Sequence, residues 1–221
     1  MSMVVLTETY TSPPVNQREI LRYAACRQAD SEVYALLEEC TAQAEQGLVY
    51  RVCWCEIPVT IDRDNCDFGF FSASSNTLAR GLKGCNRAVL FAATVGVGID
   101  RLITKYSRIS PSKALIFQAL GAERIESLCD KYCADMQIRF GSPLRPRISP
   151  GYGDIPLELQ RDIFSMLDCG KKIGLTLNES LLMSPSKSVT AFAGIASDGR
   201  ITSNNRCASC GMQNCAFGGA K

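Results

Sequence analysis

The clearest hydrophobic pattern in the chain lies between Ser110 and Gly141. Ser110 followed by Pro111 is typical of a helix start, because proline suits the first turn of a helix. Apolar residues then recur at helical spacing at Phe117, Leu120, Ile125, Leu128, Tyr132 and Met136. The pattern predicts one long helix that ends near Gly141.

Shorter patterns surround this helix. Helices are predicted after Asn16, after Asp30 or Ser31, over 75–82 and over 157–167. Strands are predicted over 48–61, 68–72, 87–94 and 188–196, and the apolar run 87–94 indicates a strand buried on both faces. Because helices and strands do not alternate as regular βαβ units, the predicted fold class is α+β, with mixed helices around a mainly antiparallel twisted sheet.

The predicted elements divide the chain into three parts. Residues 1–47 form a helical lead-in, residues 48–200 an α+β core, and residues 201–221 a cysteine-rich C-terminal tail. A chain of 221 residues with 46% hydrophobic composition is long enough to bury a substantial core.

The composition argues against several classes of partner and of active site. The net charge is only +2 and no long Lys/Arg run occurs, so nucleic acid is not an expected partner. No apolar stretch of membrane-spanning length and no export signal are apparent, so a cytoplasmic protein with reduced thiols is expected. The chain has no histidine, which excludes histidine-based Ser or Cys triads and His-ligated zinc hydrolases.

The first candidate site is the loop from Arg147 to Asp154. Arg147 can pair with a carboxylate, Tyr152 offers a flat face to a cation or an aromatic base, and Gly151 and Gly153 allow close backbone approach. The alternative is a proline-rich surface crossover without a ligand.

The sequence Arg147-Ile148-Ser149-Pro150-Gly151-Tyr152 resembles the S-adenosylmethionine-binding segment of the activation domain of cobalamin-dependent methionine synthase. The resemblance is most specific from about Gly121 to Val189. It implies that Arg147 holds the ligand carboxylate, that the Ser149, Pro150 and Gly151 backbone supplies hydrogen bonds, and that Tyr152 packs near the sulfonium or the adenine. Asp135 lies near an acidic family position that contacts the amino or ribose groups. Gly153 stands where the family commonly has proline.

The resemblance further implies a stand-alone reactivation module. Such a protein binds S-adenosylmethionine and presents its methyl group to the reduced corrinoid of a partner, a cobalamin-dependent methyltransferase of the methionine synthase type. Cobalamin would be met only through that partner, and no residue of this chain is expected to act as a catalytic acid or base. Whether the chain is itself an enzyme stays open. The alternative is a non-catalytic, metal-binding docking or chaperone-like protein for a corrinoid methyltransferase.

The second candidate site is the run Cys207, Cys210 and Cys215 in the tail. Three closely spaced thiolates can ligate an iron–sulfur cluster or zinc. Cys53 and Cys55 lie on one face of a predicted strand, where they either supply a further ligand or pack as core thiols. The alternative for the tail is an exposed, reduced segment without metal.

Overall fold

The computed structural model describes residues 4–197. The strands are β1 (Leu6–Tyr10), β2 (Tyr50–Pro58), β3 (Thr60–Asp62), β4 (Asn65–Asp67), β5 (Ser72–Ser74), β6 (Arg87–Thr94), β7 (Thr176–Leu177), β8 (Met183–Ser184) and β9 (Ser188–Ile195). The helices are α1 (Gln17–Tyr23), α2 (Ser31–Glu45), α3 (Asn76–Gly81), α4 (Gly98–Ile109), α5 (Pro111–Phe140), α6 (Leu159–Leu167) and α7 (Cys169–Ile173).

The centre of the fold is a four-stranded sheet in the order β1-β2-β6-β9. Every neighbouring pair in this sheet is antiparallel. The β3, β4 and β5 strands form a second, small antiparallel sheet. Together with the helices, these sheets confirm the predicted α+β class with a mainly antiparallel sheet.

Side chains alternate between two cores, one on each face of the central sheet. Val89, Phe91 and Ala93 of β6 face a core that is shared with α1, α2 and α5. Leu90 and Ala92 face the opposite core, which is shared with α3, α6, α7 and the small sheet. This confirms the prediction that the apolar run 87–94 is a strand buried on both faces.

The α5 helix is the main support of the first face. It follows the predicted range closely, with Pro111 in its first turn and Gly141 ending it in the left-handed conformation at φ 59°. Tyr132 of α5 is fully buried and packs against Phe91 with ring centroids 4.8 Å apart. The long hydrophobic pattern thus forms the packing surface between the helical layer and the sheet.

The structure differs from the predicted elements at three places. Residues 68–71 form a turn between β4 and β5, in which the Phe68 amide donates to the Phe71 carbonyl at 3.0 Å, so the strand predicted over 68–72 is wrong. The strand predicted over 48–61 is interrupted at Val59, whose amide donates to Asn86 at 2.9 Å. The lead-in holds both predicted helices and also β1, which the sequence reading missed.

No helix among residues 4–197 has the length and apolar character that crossing a membrane requires.

Candidate functional site

The Arg147 loop is fixed at the edge of the central sheet. The Ile148 amide donates to Phe192 O, and the Phe192 amide donates to Ile148 O, both at 2.8 Å. Ile148 lies in the core of α3 and β9, and its side chain fills the space beside Gly81. Because neighbouring residues of extended backbone point to opposite faces, Arg147 is directed toward α5.

Arg147 ends between two carboxylates of α5. Its guanidinium donates to Glu126 at 2.6 Å and also to Asp130, and its side chain is only 7% exposed. The carboxylates themselves are more open, with side-chain exposures of 34% for Glu126 and 60% for Asp130. A positive group is therefore held at the sheet edge, with two acidic groups between it and solvent.

Those two carboxylates also line a polar cavity between α1 and α5. Its volume is about 180 Å³. The residues that line it are Asn16, Glu19, Arg22, Tyr23, Glu123, Glu126, Ser127 and Asp130. Four of these residues are acidic and one is basic: Arg22 pairs with Glu19 at 2.7 Å, and the other three carboxylates pair with Arg124 and Arg147, which are not among the lining residues. An acidic cavity favours a cationic group.

A buried ion cluster sets the position of α1 on α5. Arg124 is fully buried and donates to the carbonyls of Pro13 at 2.6 Å and Pro14 at 2.8 Å, as well as to Glu123. Glu123 in turn accepts from the Asn16 amide at 3.2 Å. The segment that leads into α1 is thus tied to α5 by charge-assisted hydrogen bonds.

The glycine-flanked part of the loop is a tight turn. The Gly151 amide donates to Ile155 O at 3.0 Å, and the Tyr152 amide donates to Ser149 O at 3.2 Å. Pro150 is buried. Tyr152 is 69% exposed, so the turn presents an aromatic ring at the surface.

Gly153 and Asp154 join this turn to α3. Asp154 accepts hydrogen bonds from the Ser75 hydroxyl at 2.6 Å and from the backbone amides of Asn76 at 2.8 Å and Thr77 at 3.0 Å. The bonds from Ser75 and Thr77 hold the pKa of Asp154 well below its usual range. Because these groups lie in the first turn of α3, Asp154 acts as a cap supplied from another part of the chain.

The backbone of Gly153 explains why proline is absent at this position. Its φ is +59°, whereas proline is restricted to φ near −65°. A Cβ atom at Gly153 would also lie 2.6 Å from the Thr77 hydroxyl oxygen. The close approach of the loop to α3 therefore requires glycine.

The residues predicted for the ligand site do not all lie together. Ser149, Pro150, Gly151 and Tyr152 form the turn that follows Arg147. Asp135 instead pairs with Lys131 at 2.5 Å, and the acidic partners of Arg147 are Glu126 and Asp130. Sequence reasoning missed these two, although their i,i+4 spacing on a predicted helix puts them on one face.

The cysteine predictions divide between described and undescribed residues. Cys207, Cys210 and Cys215 lie outside the described residues, so a metal at these thiols stays a prediction. Cys53 and Cys55 are buried in the same core, which confirms that they share a face of β2. Within residues 4–197, no three His, Cys, Asp or Glu side chains are grouped so as to hold a metal ion.

The fold and this site define an α+β domain in which a polar cavity and the Arg147 loop lie beside one long helix. Among solved structures, the chain is similar to the MetH reactivation domain bound to AdoHcy, with a TM-score of 0.66 and 14% sequence identity. The match covers 91% of this chain and 81% of that chain. No family model and no curated protein matches the sequence. The structural likeness confirms the predicted resemblance to the methionine synthase activation domain at the level of the fold.

Proposed function

We propose that this chain binds S-adenosylmethionine and presents its methyl group to the reduced corrinoid of a partner methyltransferase. The observation that carries the proposal is Arg147, held at the sheet edge beside an acidic cavity in a fold shared with a reactivation domain bound to AdoHcy. A basic group next to acidic groups matches a ligand that carries both charges.

The charges of the ligand suit this arrangement. The amino-acid end of S-adenosylmethionine has a carboxylate and an ammonium group, and its sulfonium adds a further positive charge. Arg147 offers several N–H donors in a planar fork, so its guanidinium can donate hydrogen bonds to a ligand carboxylate. Glu126 and Asp130 are partly exposed, and in this proposal they receive the ammonium group as the ligand carboxylate takes their place on Arg147.

The size of the cavity indicates how much of the ligand is enclosed. A volume of about 180 Å³ is below the range of roughly 300–1,000 Å³ that is usual for pockets burying a whole small molecule. We therefore place the amino-acid end in the cavity and leave the adenosine end outside it. The exposed ring of Tyr152 provides a surface against which the adenine or the sulfonium can pack.

The catalytic contribution in this proposal is positioning. The chain has no histidine, and methyl transfer from a sulfonium to cobalt requires an oriented methyl group rather than a proton donor. The corrinoid that accepts the methyl group belongs to the partner, the electron is delivered there, and S-adenosylhomocysteine is the leaving group. An accessible sulfonium outside the cavity suits transfer to another protein.

The test is a calorimetric titration of the purified chain with S-adenosylmethionine, repeated with Arg147→Ala. Loss of a charge-assisted hydrogen bond is expected to cost about 1.5–3 kcal/mol, so affinity should fall by roughly 10- to 150-fold. Lys131→Ala is the matched control, because Lys131 also pairs with a carboxylate of α5, Asp135, and neither residue is among those that line the cavity. Equal affinities for wild type and Arg147→Ala would refute the proposed pose.

The same titration separates the proposal from the docking-protein alternative. A chain that serves only as a docking or metal-binding partner has no need for the ligand. Reactivation is supported if the wild type and Lys131→Ala both bind the ligand and Arg147→Ala does not. No binding to wild type would favour the docking protein.

A further inference from the structure

Two neighbouring helices on the outside of the fold carry opposite charges. The α2 helix has four glutamates and no basic residue, whereas α4 has one aspartate and three basic residues, Arg101, Lys105 and Arg108. The two helices are in contact, because the Tyr106 hydroxyl of α4 donates to the Gln43 side chain of α2 at 3.1 Å. Both bury apolar residues in the core that contains α5, so their exposed faces lie together on the outer surface of the helical layer.

The three basic residues of α4 form one exposed row. Arg101, Lys105 and Arg108 are four and three positions apart, which places them on one face of the helix over about 10 Å. Within residues 4–197 none of the three takes part in an ion pair. Asp100 accepts instead from the amide of Ser186 at 2.8 Å and from its hydroxyl. The row therefore presents positive charge that no described carboxylate compensates.

The N-terminal half of α2 is the acidic counterpart. Glu32 and Glu38 are exposed, and neither pairs with a basic residue in the described part of the chain. Tyr34 is 43% exposed and precedes Glu38 by one helical turn, so the two side chains are neighbours on the exposed face. This half of α2 thus presents an aromatic ring flanked by carboxylates.

A groove at the start of α4 has the shape and the charge to receive such a ring. Its volume is about 450 Å³, and its surface is mostly apolar. The residues that line it are Val97, Asp100, Arg101, Thr104 and Lys105. Val97 is 45% exposed at the beginning of the helix. An aromatic ring in the groove would pack on Val97 and on the aliphatic stems of the two basic side chains, whose charges suit its face.

We propose that the occupant is a second copy of this chain, with α2 of each copy docked on α4 of the other about a two-fold axis. Tyr34 of the partner subunit enters the groove, and the glutamates beside it face the basic row. Because α2 and α4 are neighbours on one surface, a single two-fold axis makes both contacts at once and closes the assembly. A buried aromatic anchor together with arginine is typical of specific protein interfaces.

Other anionic partners suit this surface less well. An interfacial membrane helix needs a free apolar face, whereas α4 has Ile99 buried and Leu102 and Ile103 packed against the core. Three cations on one short row neutralise few phosphates of a nucleic acid, and the net charge of the chain is only +2. Both of these partners also leave the apolar groove unfilled, whereas a second copy supplies the acidic groups and the ring together.

The first measurement is the mass of the full chain by sedimentation equilibrium at increasing salt. We expect twice the monomer mass at about 0.01 M salt and dissociation toward 1 M, because the Debye length falls from about 30 to about 3 Å over this range. A chain that stays monomeric at low salt and at its highest soluble concentration would overturn the proposal.

Charge reversal then tests which surfaces meet. Arg101→Glu with Lys105→Glu reverses α4, and Glu32→Lys with Glu38→Lys reverses α2. Each double variant alone should dimerise at least about tenfold more weakly than wild type, because like charges then face each other. An equimolar mixture of the two should form a heterodimer, since both of its contacts again join opposite charges.

A matched control separates this surface from net charge. Arg18→Glu with Lys83→Glu changes the net charge as much as the α4 reversal does, at exposed positions outside α2 and α4, and should dimerise like wild type. Failure of the mixed variants to form a heterodimer, or a dimer weakened by the α4 reversal but not by the α2 reversal, would exclude a second copy as the occupant. No residue of the proposed ligand site is changed, so this test and the ligand titration can fail separately.

Discussion

Replacing Arg124 by methionine should destabilise the fold more than any surface change on the same helix. The Arg124 guanidinium donates to Pro13 O at 2.6 Å, to Pro14 O at 2.8 Å and to both carboxylate oxygens of Glu123 at 2.6 and 2.8 Å. Methionine fills much of the space but donates none of these bonds. Glu123, only 2% exposed, is then left as a buried carboxylate without its cation.

The expected size of this effect follows from the burial of both partners. Removing one member of a buried ion pair typically costs about 3–5 kcal/mol, because the other charge stays buried and uncompensated. This is a large part of the roughly 5–15 kcal/mol by which domains are stable. For a chain of this length, we expect the melting temperature to fall by about 6–20 °C.

Urea unfolding followed by circular dichroism measures the loss directly. Lys131→Met is the matched control on α5, because its ion pair with Asp135 is exposed and should contribute only about 0.3–0.5 kcal/mol. Adding Glu123→Gln to Arg124→Met should recover part of the stability, since it removes the uncompensated charge. A loss below about 1 kcal/mol in Arg124→Met would refute the reasoning that this buried pair anchors α1.

Three further predictions concern the Arg147 loop. Gly153→Ala should lower the free energy of unfolding by more than the roughly 1–2 kcal/mol cost of left-handed backbone. Gly141→Ala, at the same φ of 59° but with open space around it, should show the backbone cost alone in urea titrations. Asp154→Asn should lower the melting temperature at pH 6, and its difference from wild type should begin to shrink as pH falls below about 4 and keep shrinking toward the depressed pKa of the folded state, because the stabilising carboxylate is protonated only there. A difference that keeps its full size from pH 6 down to about pH 2 would contradict this. Tyr152→Ala should leave stability unchanged, since the ring is exposed, but should weaken S-adenosylmethionine binding in calorimetry.

The elements that sequence reasoning predicted well are those with a strong one-dimensional signal. The α5 helix carries a long run at helical spacing with Pro111 at its start, and β6 is apolar on both faces. The β1 strand was not predicted, because it is short and lies at the sheet edge, where only its pairing with β2 distinguishes it from a loop. Likewise, residues 68–71 contain aromatic residues that suit a strand. In the structure they form a turn in which the Phe68 and Phe71 rings pack against each other.

In the candidate site too, the residues of a local sequence motif were predicted and those brought in by tertiary contacts were not. Arg147 and its turn were predicted from a local motif. Their acidic partners were not, because the contact between Arg147 and Glu126 depends on how the sheet edge meets α5. Gly153 departs from the family pattern, and only the structure shows why glycine suits the position, because its backbone is left-handed and it lies close to Thr77.

The most direct test of the proposed function is a crystal structure of the full chain grown with S-adenosylmethionine. We expect electron density for the amino-acid end of the ligand between α1 and α5, with its carboxylate on Arg147 and its adenosine end outside the cavity near Tyr152. An empty cavity at saturating ligand, or ligand bound away from Arg147, would contradict the account.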